Sequence, residues 1–161
     1  MKTINTFFWF DNQAEEAANY YVSVFPNSKI TNVMKFPEAA KEYTGGNAVG
    51  TVMTVDFELN GAPFTGLNGG KQEGFVFSPA TSFMIPCDDQ AEIDRFWAAL
   101  SAVPEAEQCG WCTDKFGITW QVVPSLLNDL LADPAKTEKV TAAFLQMKKF
   151  DIAKLVEAGN A

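Results

Sequence analysis

Apolar and polar positions along the chain follow short periods that predict two similar halves. In the first half a run of rings ends at Phe10, an acidic segment of helical spacing follows, and three alternating stretches come after it. Asn60-Gly61 separates the last two stretches and is typical of a type I′ hairpin turn. This half is therefore predicted to have the order β-α-β-β-β. The predicted elements are a strand at 7–10, a helix at 12–25, and strands at 28–36, 49–59 and 64–68.

The second half repeats the opening of the first. The motif at residues 11–15 recurs at 88–92 as Asp-Asp-Gln-Ala-Glu, again after an apolar run and again followed by an aromatic pair. Each copy predicts a strand, an Asp or Asn helix start, and an amphipathic helix with acidic residues in its first turn. Strands are predicted at 105–112 and 118–123. We therefore expect the second half to have the β-α-β-β-β order as well.

These patterns predict an α+β fold in which residues 1–161 form a single domain. It contains two modules, at residues 4–70 and 80–123, joined by a linker at 71–78. A helical tail is expected over residues 124–158, where apolar residues have helical spacing.

Composition and net charge exclude several classes of function. The 161 residues are 47% hydrophobic with a net charge of −8, which is typical of a globular protein and argues against binding to nucleic acid or to an anionic membrane. No apolar run reaches the length of a membrane helix, and the start lacks the apolar core of a signal peptide, so we expect a cytoplasmic protein. The chain has no histidine, which excludes histidine-based catalytic triads and histidine-ligated metal sites.

The three cysteines include a C-x-x-C at Cys109 and Cys112. This spacing can indicate a redox pair or half of a zinc site, but here it lies in a predicted strand. Side chains three positions apart on a strand face opposite ways and lie about 10 Å apart, too far for a disulfide. We interpret them as structural cysteines, with a single reactive Cys109 as the alternative.

Several blocks of sequence resemble the PhnB-like proteins of the vicinal oxygen chelate superfamily, which includes glyoxalase I, bleomycin-resistance proteins and extradiol dioxygenases. Such proteins are often labelled 3-demethylubiquinone-9 3-methyltransferase. The resemblance covers about residues 4–157. The blocks are Trp9-Phe10-Asp11, residues 13–17 and 21–26, Leu67-Asn68-Gly69-Gly70, residues 108–111 and 114–117, Trp120-Gln121-Val122-Val123-Pro124, and residues 145–149.

This resemblance implies paired βαβββ modules that form a half-open barrel around a cavity, and a homodimer. In the metal enzymes of the superfamily, side chains from the first and last strands of each module hold an ion. The corresponding positions in this sequence are Thr6 or Phe8, Leu67 or Asn68, Ala80 or Ser82, and Gln121. Because these positions offer only neutral, weak ligands, we expect no metal site and no cofactor.

Rings on the predicted strands indicate either a ligand cavity or an ordinary aromatic core. Strand alternation separates Ile118, Trp120 and Val122 from Gln121, so Gln121 is expected to face the barrel interior and to find a partner in Asn68, Ser82, water or a ligand. The predicted pocket residues are Phe8, Leu67, Asn68, Ser82, Cys109, Trp111 and Gln121.

Three classes of function remain open. The first is a metal-free protein that binds a small organic molecule in an aromatic cavity. The second is an enzyme of the superfamily with an unknown reaction and unknown catalytic residues; the sequence has no Gly-rich loop after a strand of the kind that binds S-adenosylmethionine. The third is an interaction protein whose pocket is vestigial.

Overall fold

Fourteen elements follow one another in the computed structural model, which describes residues 3–161. Two compact units emerge from the contacts within the chain, one ending at Val76 and the other beginning at Phe77. Each unit combines one sheet with α-helical structure, so the α+β class expected from the sequence is confirmed. The single-domain interpretation stays a prediction. Within residues 3–161 no helix has both the length and the apolar character needed to cross a membrane.

The first unit has the predicted β-α-β-β-β order. Its elements are β1 (Thr6–Phe10), α1 (Ala14–Val24), β2 (Lys29–Lys35), a 3₁₀ helix (Glu38–Tyr43), β3 (Val52–Leu59) and β4 (Ala62–Asn68). The strands form one sheet in the order β1-β4-β3-β2, in which β1 and β4 are parallel and the other pairs antiparallel. Asn60 and Gly61 both have positive φ, at 46° and 83°, which confirms the type I′ turn between β3 and β4.

Helix α1 packs on one face of this sheet. It buries Ala14, Ala17, Ala18 and Tyr21, a set with helical spacing. The Tyr21 ring stacks on Phe57 of β3, with 6.3 Å between ring centroids. The sheet face opposite α1 carries the alternate residues of each strand, and we call it the far face of the first sheet.

The second unit has one strand fewer than expected. Its elements are β5 (Phe83–Cys87), α2 (Gln90–Leu100), a short 3₁₀ helix (Pro104–Ala106), β6 (Trp111–Thr113), β7 (Thr119–Pro124), α3 (Leu127–Ala132), α4 (Pro134–Phe144) and α5 (Ile152–Asn160). The sheet order is β5-β7-β6, with β5 parallel to β7. The strand predicted at 105–112 is reduced to the three residues of β6, and within the described residues the unit has the order β-α-β-β in place of the expected β-α-β-β-β.

Local backbone chemistry explains the shortened strand. Pro104 begins a 3₁₀ helix, because proline fixes φ and supplies no ladder N–H. Cys109 and Gly110 then both have positive φ, at 49° and 80°, and form a tight turn. Gln108 and Trp111 make only an isolated bridge across this turn.

The repeated motif starts the two helices differently. Asp89 is the N-cap of α2, where its side chain accepts a 2.8 Å hydrogen bond from the Glu92 backbone N–H. In α1 the N-cap is Gln13, the third residue of its copy of the motif, whereas Asp89 is the second residue of its copy. The Gln13 side chain makes no capping bond. The expected Asp or Asn helix start is therefore found in the second copy only.

Candidate functional site

The far face of the second sheet, opposite α2, brings three of the predicted pocket residues together. Gln121 of β7 lies between Met84 of β5 and Trp111 of β6 in the strand register. The Gln121 Nε2 donates a 2.8 Å hydrogen bond to the hydroxyl of Ser82. Ser82, Trp111 and Gln121 are half-buried, and the Met84 side chain is exposed. The neighbour of Gln121 on β5 is thus a methionine.

The opposite face of β7 fixes Gln121 in this orientation. Trp120 and Val122 alternate with Gln121 and are fully buried, as are the helix residues Ile93 and Leu100. The Trp120 indole N–H donates a 2.8 Å hydrogen bond to the buried carboxylate of Asp114. Trp120 and Val122 are buried on the side of β7 that faces α2. Because neighbouring side chains on a strand point in opposite directions, the Gln121 side chain must face away from α2.

Asp114 also shapes the turn that leads into β7. One of its oxygens accepts hydrogen bonds from the backbone N–H groups of Phe116 and Ile118, at 2.8 and 3.0 Å. With the Trp120 bond, this buried side chain accepts hydrogen bonds from three of its neighbours, and a buried polar group needs such partners. Sequence reasoning did not single out Asp114, although the Asp-x-x-Gly spacing was a signal for such a turn.

Cys109 bonds to the C-terminal segment and not to the Gln121–Ser82 pair. Its backbone N–H donates a 2.8 Å hydrogen bond to the Met147 carbonyl, and its thiol lies 3.5 Å from the Phe144 carbonyl, where it can donate. The turn at Cys109 and Gly110 therefore contacts the segment between α4 and α5. Cys109 is half-buried there.

The other two cysteines are buried structural thiols. Burial is the largest cause that raises the pKa of Cys112 to about 12, with smaller effects from Asp114 and Glu107. Burial likewise raises the pKa of Cys87 to about 12. All three cysteines are free, and at neutral pH the thiols of Cys87 and Cys112 are protonated.

In the first sheet, Phe8 and Asn68 lie in the core on the α1 side. The Phe8 ring stacks on Phe64 with 5.7 Å between centroids and is 5% exposed. The Asn68 Oδ1 accepts a 2.8 Å hydrogen bond from the Ala14 backbone N–H, and its Nδ2 donates a 2.9 Å bond to the Val52 carbonyl. Asn68 thus supplies the cap of α1 that Gln13 does not, a role that the sequence did not reveal.

Leu67 lies on the far face of the first sheet. In the register it stands between Trp9 of β1 and Thr54 of β3, and it is half-buried. A second row on this face includes the hydroxyl of Thr65, which donates a 2.6 Å hydrogen bond to the carboxylate of Asp56. On this face Trp9 and Leu67 are therefore apolar neighbours, and in the next row Thr65 and Asp56 bond to each other.

Sequence reasoning missed a cleft of about 390 Å³ in the first unit, where Trp9 and Phe75 contribute the rings. Their centroids lie 5.2 Å apart in an edge-to-face arrangement. The signal was the run of four rings from Phe7 to Phe10, because strand alternation directs two of them away from α1.

The positions that correspond to metal ligands do not form a donor set. Phe8 is apolar, Asn68 is committed to the α1 cap, and the Gln121 amide is neutral. Among residues 3–161, no group of three or more Cys, Asp or Glu side chains is arranged to hold a metal ion. A divalent cation needs several anionic or strongly polar ligands to offset its dehydration.

Comparison with known proteins identifies the family. A model of the family described as 3-demethylubiquinone-9 3-methyltransferase matches residues 2–123. The chain belongs to this family. The matched region includes both sheets up to Val123 and ends before α3, so the three C-terminal helices lie outside it.

Solved structures support the assignment. A PhnB protein from Bacillus cereus is 32% identical, with 76% of this chain and 99% of that chain covered and a TM-score of 0.62. A Pseudomonas aeruginosa protein is 16% identical, with coverage of 77% and 98% and a TM-score of 0.56, which supports the fold alone. No curated protein matches the chain. The PhnB-like resemblance seen in the sequence is thus confirmed.

The family's description implies methyl transfer, for which S-adenosylmethionine is the usual donor, and the residues here do not fit it. Neither small mixed sheet has the parallel, doubly wound order of a Rossmann fold. The Gly69-Gly70 turn after β4 packs on the chain itself: a Cβ at Gly69 would overlap the Trp9 ring, and one at Gly70 would overlap the Gly45 backbone. These two glycines serve packing within the chain and do not form the phosphate-binding turn of a Rossmann fold.

Proposed function

We propose that this chain is a metal-free member of the vicinal oxygen chelate superfamily that binds a small organic ligand. The observation that carries the proposal is the Gln121–Ser82 pair on the far face of the second sheet, beside the half-buried ring of Trp111. An aromatic wall with a few oriented polar groups is typical of small-molecule sites.

The polar pair has hydrogen-bonding capacity to spare. The Gln121 Nε2 is used by Ser82, while the Gln121 Oε1 and the Ser82 hydroxyl proton have no partner within residues 3–161. One acceptor and one donor side by side suit a ligand group that both donates and accepts, such as a carboxamide or a carboxylic acid. Because an amide does not titrate near neutral pH, Gln121 orients the ligand and transfers no proton.

Native mass spectrometry of freshly purified protein tests the proposal directly. We expect a copurified small molecule and no stoichiometric transition metal. One metal ion per chain that is lost on Gln121→Ala would instead favour a metal enzyme.

A matched pair of variants then tests whether the ligand binds at Gln121. Gln121→Leu is expected to weaken binding of the copurified ligand by about tenfold, which corresponds to the loss of one or two hydrogen bonds. Gln13→Leu makes the same chemical change at an exposed position without side-chain bonds and should leave the affinity unchanged. Equal affinities of the two variants would overturn the assignment of Gln121.

Two further parts of the proposal concern the cellular location and the oligomeric state of the protein. A cytoplasmic location is supported by three free cysteines, since reducing compartments keep thiols unpaired. A homodimer is supported by large apolar side chains exposed on both edge strands of the first sheet, where Phe7 is 58% and Met34 49% exposed.

A further inference from the structure

The cleft beside Trp9 is lined by residues of the first unit, whereas the ligand face proposed above belongs to the second unit. It lies between the end of β1 and the segment that follows β4, and its volume of about 390 Å³ falls in the range of small-molecule sites. Its lining includes Trp9, Asp11, Lys71, Glu73 and Phe75.

The Trp9 ring is held firmly in the wall of this cleft. Its indole N–H donates a 2.8 Å hydrogen bond to the Gly70 carbonyl, and Gly69 packs directly against the ring, where any side chain would collide with it. Phe75 meets it edge to face and is 61% exposed. Two rings, one fixed and one accessible, therefore present aromatic surface to the cleft.

The charges of the cleft are predominantly negative. Within residues 3–161 the carboxylates of Asp11 and Glu73 have no hydrogen-bond or ion-pair partner among the side chains. Lys71 also lines the cleft but forms an ion pair with neither carboxylate. Two unpaired carboxylates against one ammonium leave the cleft acidic, on a chain whose net charge is already −8.

We propose that this cleft binds a small organic cation that carries an alkylated ammonium group. Ring faces attract such a cation by about 0.5–2 kcal/mol, and carboxylates at the rim supply the complementary charge. A compact metal ion would keep its hydration shell against the two rings, and an anion would be repelled by both carboxylates. The combination of rings and carboxylates thus favours a cation with an apolar surface.

The test uses choline as the probe and its neutral isostere 3,3-dimethyl-1-butanol as the comparison. Choline is expected to shift the NMR signal of the Trp9 indole N–H in a saturable way, more weakly as salt is added, while the isostere gives a much smaller shift. Equal binding of the isostere, stronger binding of acetate than of choline, or no saturable shift with choline would each overturn the proposal.

Single substitutions separate the site from the general acidity of the chain. Phe75→Leu and Glu73→Gln are each expected to weaken choline binding by about threefold to thirtyfold, the range set by one cation–ring or charge contact. Tyr43→Leu removes an exposed ring of the first unit that does not line the cleft, and should leave the affinity unchanged. If Tyr43→Leu weakens binding as much as Phe75→Leu, the site lies elsewhere and the proposal fails.

Discussion

At the scale of single residues, the structure gives Asn68 a mainly structural task. Its side chain joins the first turn of α1 to β3 through two hydrogen bonds in a site that is 5% exposed. An amide is well suited to this task, because it offers one acceptor and one donor at the same point.

Asn68→Ala is expected to lower the free energy of unfolding by about 2–4 kcal/mol, because it leaves buried backbone groups without partners. Urea denaturation followed by circular dichroism measures this change. Asn19→Ala is the matched control, since Asn19 is exposed and bonds only within its own helix, and it should change the stability by less than about 0.5 kcal/mol. Similar losses for the two variants would contradict the capping role of Asn68.

The cysteines give a second prediction at this scale. Because burial raises the pKa values of Cys87 and Cys112 to about 12, only about one in 10,000 of each is thiolate at pH 8. A thiol reagent at pH 8 should therefore modify one fast-reacting cysteine per folded chain, and all three in urea. The fast reaction should vanish in Cys109→Ser. Three fast thiols in the folded protein would show that the buried pair is accessible.

At the scale of elements, one repeated motif serves two different purposes. Gln90 of the second copy holds the C-terminal segment: its Nε2 donates to the Phe150 carbonyl at 3.1 Å, and its Oε1 accepts from the Ile152 backbone N–H at 2.9 Å. Gln13, its counterpart in the first copy, is exposed and makes no capping bond. The same residue type is therefore bonded to the tail in one module and exposed in the other.

Gln90→Ala is expected to loosen helix α5 without unfolding the sheet. Hydrogen exchange measured by mass spectrometry should become about tenfold faster over α5, in line with the loss of two hydrogen bonds, while exchange in β5 and β7 stays the same. Gln13→Ala should leave α5 unaffected. Faster exchange throughout the second unit would mean that Gln90 supports the whole core and not the tail.

At the scale of the whole molecule, the proposed homodimer is open to measurement. Light scattering after size exclusion should give twice the mass of one chain. Phe7→Ser and Met34→Ser each remove an exposed apolar side chain and should weaken dimerisation by about tenfold or more if that side chain is buried between subunits. Tyr43→Ser is the control, because Tyr43 is 82% exposed but belongs to the 3₁₀ helix and to neither edge strand. A monomer at every concentration would refute the dimer.

The sequence by itself determined the element order of the first unit and the positions of α1 and α2, the helices that follow the two copies of the repeated motif. The signals used were the period of the hydrophobic residues, an Asn-Gly turn, and acidic residues in the first turn of each helix. These signals are local, so they can be read from the sequence without coordinates. It also predicted that Trp120 and Val122 are buried while Gln121 faces the other way, since alternation along a strand is a local property.

Only the tertiary structure decided which polar groups meet. Asn68 caps a helix that begins 54 positions earlier in the chain, and Gln90 holds a segment 60 positions away at Phe150. Such pairings depend on how strands and helices pack, which no local pattern encodes. The same reason explains the cleft: Trp9 and Phe75 meet because the chain turns back after β4 at Gly69, which packs against the Trp9 ring itself.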